Sequence, residues 1–137
     1  MGFATHRQKI ENDFFTRFPL LEPDVELSGE NAAFDPPVES PWVRVSMAQA
    51  GMFRACIGDD PSWQSDGIFS VQVFTPLTSG AAVAARIADS AVDVLRTAKL
   101  DGIETLDFTI AVTGQDDGWY QTNVLANYRA FDKRATP

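Results

Sequence analysis

The segment SGAAVAARIADSAVDVLRTAKLDG, Ser79 to Gly102, decides the architecture. Val83, Ile87, Ala91, Val94, Leu95 and Ala98 recur at helical spacing among many alanines, which predicts a long amphipathic helix from Ser79 to Leu100. Gly102 follows as its C-terminal cap. A helix with one apolar stripe has to lay that stripe on another element, and the segments on both sides read as strands. Upstream, Ile68 to Thr75 alternates Phe69, Val71 and Val73 against Ser70, Gln72 and Phe74 until Pro76 ends it. Downstream, Ile103 to Val112 sets Leu106, Phe108, Ile110 and Val112 on one face. GQDDG, Gly114 to Gly118, then reverses the chain, and Trp119 to Phe131 returns.

Working outward, Thr5 and Gln8 stand at capping-box spacing, and Ile10, Phe14 and Phe18 follow four apart, so Thr5 to Phe18 predicts a first helix that Pro19 stops. From Leu20 to Pro41 the chain is rich in proline and acids and reads as loop, broken by a short strand at Val25 to Leu27. Trp42 to Met47 alternates and predicts a strand that continues, bent at Gly51, to Ile57. The stretch GDDPSWQSDG, Gly58 to Gly67, reads as the turn closing a hairpin onto the next strand. The resulting class is α+β: an antiparallel or mixed sheet with two helices packed on one face, a two-layer sandwich. Residues 1–137 read as one domain with a frayed tail at 132–137, and Phe14, Val45, Val71, Ile87, Val94 and Phe108 are its expected core.

Eleven Lys and Arg against nineteen Asp and Glu give a net charge of -8, opposite in sign to the footprint of a phosphate-neutralising surface. Specific nucleic-acid binding is therefore not expected. No run of eighteen apolar residues suggests a membrane span, and Met1 to Phe15 mixes charges into its hydrophobes unlike a secretory signal. Cys56 is the only cysteine, so an intrachain disulfide cannot form, and a small buried thiol in a strand is the simplest reading.

A catalytic site needs a nucleophile with its base, differently tuned acids, or a metal cluster, and none of these patterns is present. His6 stands in the first turn of the first helix, a place for a solvated or capping side chain. Asp59-Asp60 and Asp116-Asp117 sit in glycine-flanked turns, where Asp serves the backbone, and neither has the ligand spacing of an EF-hand. Phosphate-cradling and nucleophile-elbow motifs are absent. No catalytic, cofactor-binding or metal residues are assigned, and the chain is not expected to be an enzyme. A small-molecule site would have to draw on Arg44, Gln72, Asn123 and Asn127.

The aromatic side chains offer another use. From Ala48 to Gly67, Met52, Phe53 and Trp63 interleave with Arg54, Asp59, Asp60 and Asp66 without a core period, which suits an arm that a neighbouring molecule covers. Met52, Phe53, Arg54 and Trp63 are the candidate interface residues. Trp63, in a polar stretch, is expected to be the most exposed tryptophan, and self-association is expected through sheet edges and loops.

Three stretches carry a resemblance: ENAAFDPPVESPWVRVSM (Glu30 to Met47), GIFSVQVFTPLTSG (Gly67 to Gly80) and DGWYQTNVLANYRAFD (Asp117 to Asp132). Asn31, Phe34, Pro36, Pro37, Pro41, Trp42, Arg44 and Val45, then Gly67 to Phe69, Val71, Val73 and Phe74, then Gly118 to Tyr120 and Tyr128, are the matching positions. In order and spacing they resemble the tail terminator-like proteins of siphophages and prophages. The segment Ala48 to Asp66 departs from that pattern. The resemblance implies a structural virion protein without cofactor, made in the host bacterial cytoplasm. Its implied place is the head-proximal end of the tail. There it forms a homo-oligomeric ring, expected to be a hexamer, that caps the tail tube, ends tube polymerisation and offers the surface for head joining. Implied partners are the tail tube protein and head-tail connector proteins, with DNA passing through the ring. Another connector or minor tail protein, or a small-molecule-binding α+β domain, is the alternative.

Overall fold

The structure, a computed structural model, describes residues 2–29, 40–54, 62–116 and 118–133, with the backbone alone of Phe53, Ser62, Asp116, Asp132 and Lys133. Helix α1, Phe3–Leu21, buries His6, Ile10, Phe14 and Phe18 at every fourth position. The helix starts before Thr5, so Thr5 lies inside it, and Gly2 stands at the N-cap without a side-chain bond. His6 is a correction: it is 1% exposed, because the four-residue stripe extends one turn further back than Ile10. Pro19 does not stop the helix either. Its missing N–H falls in the last turn, and the Glu22 N–H closes the end by donating to the Phe18 carbonyl at 3.0 Å.

The five strands are β1 (Glu26–Ser28), β2 (Trp42–Arg54), β3 (Ser62–Pro76), β4 (Ile103–Asp116) and β5 (Trp119–Lys133). They form one open mixed sheet in the order β1-β2-β3-β5-β4, with β1 parallel to β2 and the other pairs antiparallel. After a single 3-10 turn at Leu77–Ser79, helix α2 spans Gly80–Arg96. It ends a turn earlier than its apolar period: the Thr97 N–H makes the last four-residue bond, to the Asp93 carbonyl at 3.2 Å, and the Ala98 N–H turns to the Leu95 carbonyl at 3.4 Å. Gly102, at φ 75, therefore makes the turn into β4 and is not the helix cap.

Both helices pack on the same side of the sheet, giving the expected two-layer α+β sandwich. Phe14 and Phe18 of α1 and Ile87, Ala91 and Val94 of α2 meet Val43, Val45, Phe69, Val71, Val73, Val124 and Ala126 in one cluster. Alternation accounts for this: residues two apart on a strand share a face, and one face of each central strand is apolar. Phe14 stacks on Phe18 with ring centroids 4.9 Å apart and tilts against Phe69 at 5.8 Å. Five of the six expected core residues are buried. Phe108 is a correction, being only partly buried against the cluster, since β4 is an edge strand and α2 packs mainly over β3 and β5.

Two strands outrun their sequence signals. β3 begins at Ser62, so the second half of the expected turn Gly58–Gly67 is strand, and the β4–β5 pairing reaches Asp116 and Trp119, well into the expected loop. Polar residues there satisfy their backbones in the ladder, which alternation of apolar side chains does not reveal. β5 is paired as far as Lys133, while Cys56 and 134–137 lie outside the described residues.

Candidate assembly surface

A β-bulge shapes the far end of β2. Its pairing with β3 shifts between Gln49 and Gly51, leaving one extra residue, Ala50. Before the shift the helix-facing residues of β2 are Val43, Val45 and Met47. After it they are Met52 and Arg54, opposite Ser65 and Trp63. The Arg54 guanidinium lies 5.8 Å from the Trp63 ring centroid, a cation–π contact. Met52, at 51% exposed, and Trp63, at 38%, thus share one face with a cation beside them. Three of the four candidate residues are brought together in this way, and the Phe53 side chain lies outside the described ones. Trp63 is exposed as expected.

The other two tryptophans are tied into the protein. Trp42, 4% exposed, stacks on Phe74 at 4.1 Å, Trp119 meets it edge-on at 6.1 Å, and Arg44 covers its ring at 5.1 Å. Arg44, Gln72 and Asn123 are register neighbours in a row across the open face of the sheet, and Asn127 holds Asp107 four residues along. They are spread over a sheet surface and do not converge on a cavity.

Sequence reasoning missed two further apolar areas. Leu106, Ile110 and Val112 on β4 are 45%, 46% and 62% exposed. A second bulge, between Thr105 and Asp107, removes Leu106 from the face that Phe108, Ile110 and Val112 share. The alternation of β4 did signal an apolar face, but only its position at the sheet edge leaves that face uncovered. Leu20 and Leu21 flank a groove between the two helices lined by Arg17, Val94 and Thr97; Pro19 as a helix stop had masked them.

The described residues present apolar surface at these places. They hold no group of three or more His, Cys, Asp or Glu placed to bind a metal, and no helix among them is long and apolar enough to cross a membrane. Burial raises the pKa of the Tyr128 phenol above its ordinary 10.0, with the charge of Asp66 adding to the rise. It is an interior group without a hydrogen-bond partner among the described residues.

A family model described as "Phage tail terminator protein" matches residues 10–128. Among curated proteins none matches. One solved structure, whose title states no function, superposes with a TM-score of 0.62 at 18% identity, covering 96% of this chain and 97% of the other. A second, titled "Virion of native gene transfer agent (GTA) particle", gives a TM-score of 0.52 at 18% identity, covering 93% and 91%. At that identity the likeness is one of fold. With the family model spanning nearly all of the sheet and both helices, this chain belongs to the phage tail terminator protein family, structural components of the phage tail.

Proposed function

We propose that the protein closes into a homo-oligomeric ring, a hexamer, on the head-proximal end of the tail tube. There it ends tube polymerisation and presents the surface that head-tail connector proteins join. It works by association and carries out no catalysis. The observation that carries this reading is the exposed Met52–Arg54–Trp63 surface at the far end of β2 and β3 in a chain of this family. Apolar anchors supply affinity and the guanidinium fixes orientation, the division of labour found in protein interfaces. A ring uses two different patches on each subunit, and the several separate apolar areas described above provide them. The second solved chain that shares the fold belongs to a structure titled as the virion of a gene transfer agent particle, and it supports a role in a virion assembly to that extent.

The test is direct. Purified protein is examined by light scattering and negative-stain imaging, alone and with tail tube protein. Rings, and tubes of limited length capped at one end, are expected. A strictly monomeric protein that leaves tube growth unchanged would falsify the reading.

A further inference from the structure

The two edges of the sheet are left open over matching stretches. β1 covers β2 only from Trp42 to Arg44, and among the described residues no strand is paired with that side of β2 from Val45 to Arg54. On the opposite side, no described strand is paired with the outer edge of β4, which is met only at its first residue, Ile103, by a bridge to Leu100. Long open edges are ordinarily blunted by Lys, Pro or inward charge, because their free N–H and C=O groups template further pairing. β4 contains neither Lys nor Pro.

Tracing each residue across the sheet gives the relative height of the two edges. Ile110 lies level with Val45 through Val124 and Val71, and Phe108 with Met47 through Ala126 and Phe69. Asp107 lies level with Ala48 through Asn127 and Ile68, and Ile103 with Met52 through Ala130 and Ser65. Each pair also shares a face: Ile110 and Val45 toward the helices, Asp107 and Ala48 toward the open side. The bulges in β2 and β4 occur at neighbouring heights, so each strand spends the same number of residues between the same levels. An eight-residue stretch of β4, 103–110, therefore matches 45–52 of β2 from end to end in antiparallel sense, with a local offset where the bulge residues Leu106 and Ala50 fall.

We propose that residues 103–110 of β4 in one subunit pair antiparallel with 45–52 of β2 in the next, β4 parting from that edge at Ala111, where β1 already occupies it, so that the sheets of neighbouring copies join edge to edge. The inference rests on the ring reading and names its contact. A closed ring has no rise between subunits, so rotation about an axis along the strands keeps every residue at its own height and preserves strand direction. β4 runs opposite to β2, which makes the junction antiparallel, and level matching is what zero rise demands. The two edges differ in charge sign: the matched stretch of β4 carries Glu104 and Asp107 with no base, and that of β2 carries no charge and is flanked by Arg44 and Arg54. The same junction covers Ile110 and the exposed bulge residue Leu106.

A register-specific cross-link tests this. In a Cys56→Ser background, Ala48→Cys and Asp107→Cys are introduced together. Opposed residues of an antiparallel pair have Cα atoms about 4.5–5.5 Å apart, within disulfide reach. Within one chain the two positions are separated by three strand spacings, roughly 14 Å, and cannot bridge. Mild oxidation of the assembled protein is expected to give a non-reducing ladder of covalent multimers ending at the ring size, and Ala48→Cys with Ile103→Cys, out of register, is expected to give none. Rings that form normally but yield no ladder overturn the edge pairing and leave the ring reading standing. A parent protein that stays monomeric even with tube protein overturns both.

Discussion

The ring of Tyr128 lies across Gly67, its register partner on the neighbouring strand, so closely that a Cβ on Gly67 would overlap the phenol oxygen, Cζ and the Ala48 carbonyl. The absence of a side chain on β3 is what lets a large aromatic cross it toward β2. Backbone and ring leave no room to relax, so Gly67→Ala is expected to cost about 1–3 kcal/mol or more by overpacking. Equilibrium denaturation measures this, and a change below about 0.5 kcal/mol would show that the strand can move aside.

The Tyr128 hydroxyl is buried with no hydrogen-bond partner, so removing it forfeits no bond. Tyr128→Phe is expected to leave stability unchanged or raise it by up to about 1 kcal/mol. The pH dependence has a definite sign. Burial first, then the charge of Asp66, raises the folded-state pKa above the ordinary 10.0. Well below pH 10 both states hold the proton. Above it the unfolded chain releases the proton while the folded chain holds it, so stability declines with rising pH. The Phe variant should lose that portion of the alkaline decline; an identical slope in both proteins would place the phenol in contact with water.

Glu22, 7% exposed at the end of α1, accepts bonds from Arg86 Nε and a terminal nitrogen of Arg86 at 3.2 Å each and from the Ser90 hydroxyl at 3.0 Å. It fastens the end of the first helix to the middle of the second. Glu22→Ala is expected to cost about 1–3 kcal/mol, mostly through the buried groups it leaves unpaired. Arg86→Ala should cost less, because that side chain is 60% exposed and its charge is screened. The reverse ranking in urea titrations would contradict the assignment.

Core truncations should separate the two layers' centre from the edge. Phe14→Ala removes a fully buried ring and is expected to cost about 3–5 kcal/mol. Phe108, half-buried on the edge strand, should cost clearly less, and comparable losses would mean that an assembled neighbour already covers β4 in the sample measured.

For the arm, Met52→Ser combined with Trp63→Ser is expected to move the monomer's unfolding free energy by no more than about 0.5 kcal/mol while abolishing rings or tube capping. Normal assembly of that double variant removes these residues from the interface. A large stability loss instead returns them to the core.

Local chemistry alone determined much of this protein. Four-residue apolar spacing specifies α1 and α2, and two-residue alternation specifies the central strands, because each period follows from backbone geometry within a few residues. Helices and strands with one apolar side then have a single way to hide it, the two-layer sandwich. His6 obeys the same period, one step N-terminal to Ile10. The remaining features depend on neighbours distant in sequence. The strand order β1-β2-β3-β5-β4 places β4 at an edge and so leaves Ile110 and Val112 bare, though their alternation is as regular as that of Val71 and Val73. The bulge at Ala50 turns Met52 and Arg54 onto the face of Trp63, and no local signal marks it, since a bulge is a mismatch between two strands and belongs to neither alone. The candidate surface is assembled by that mismatch.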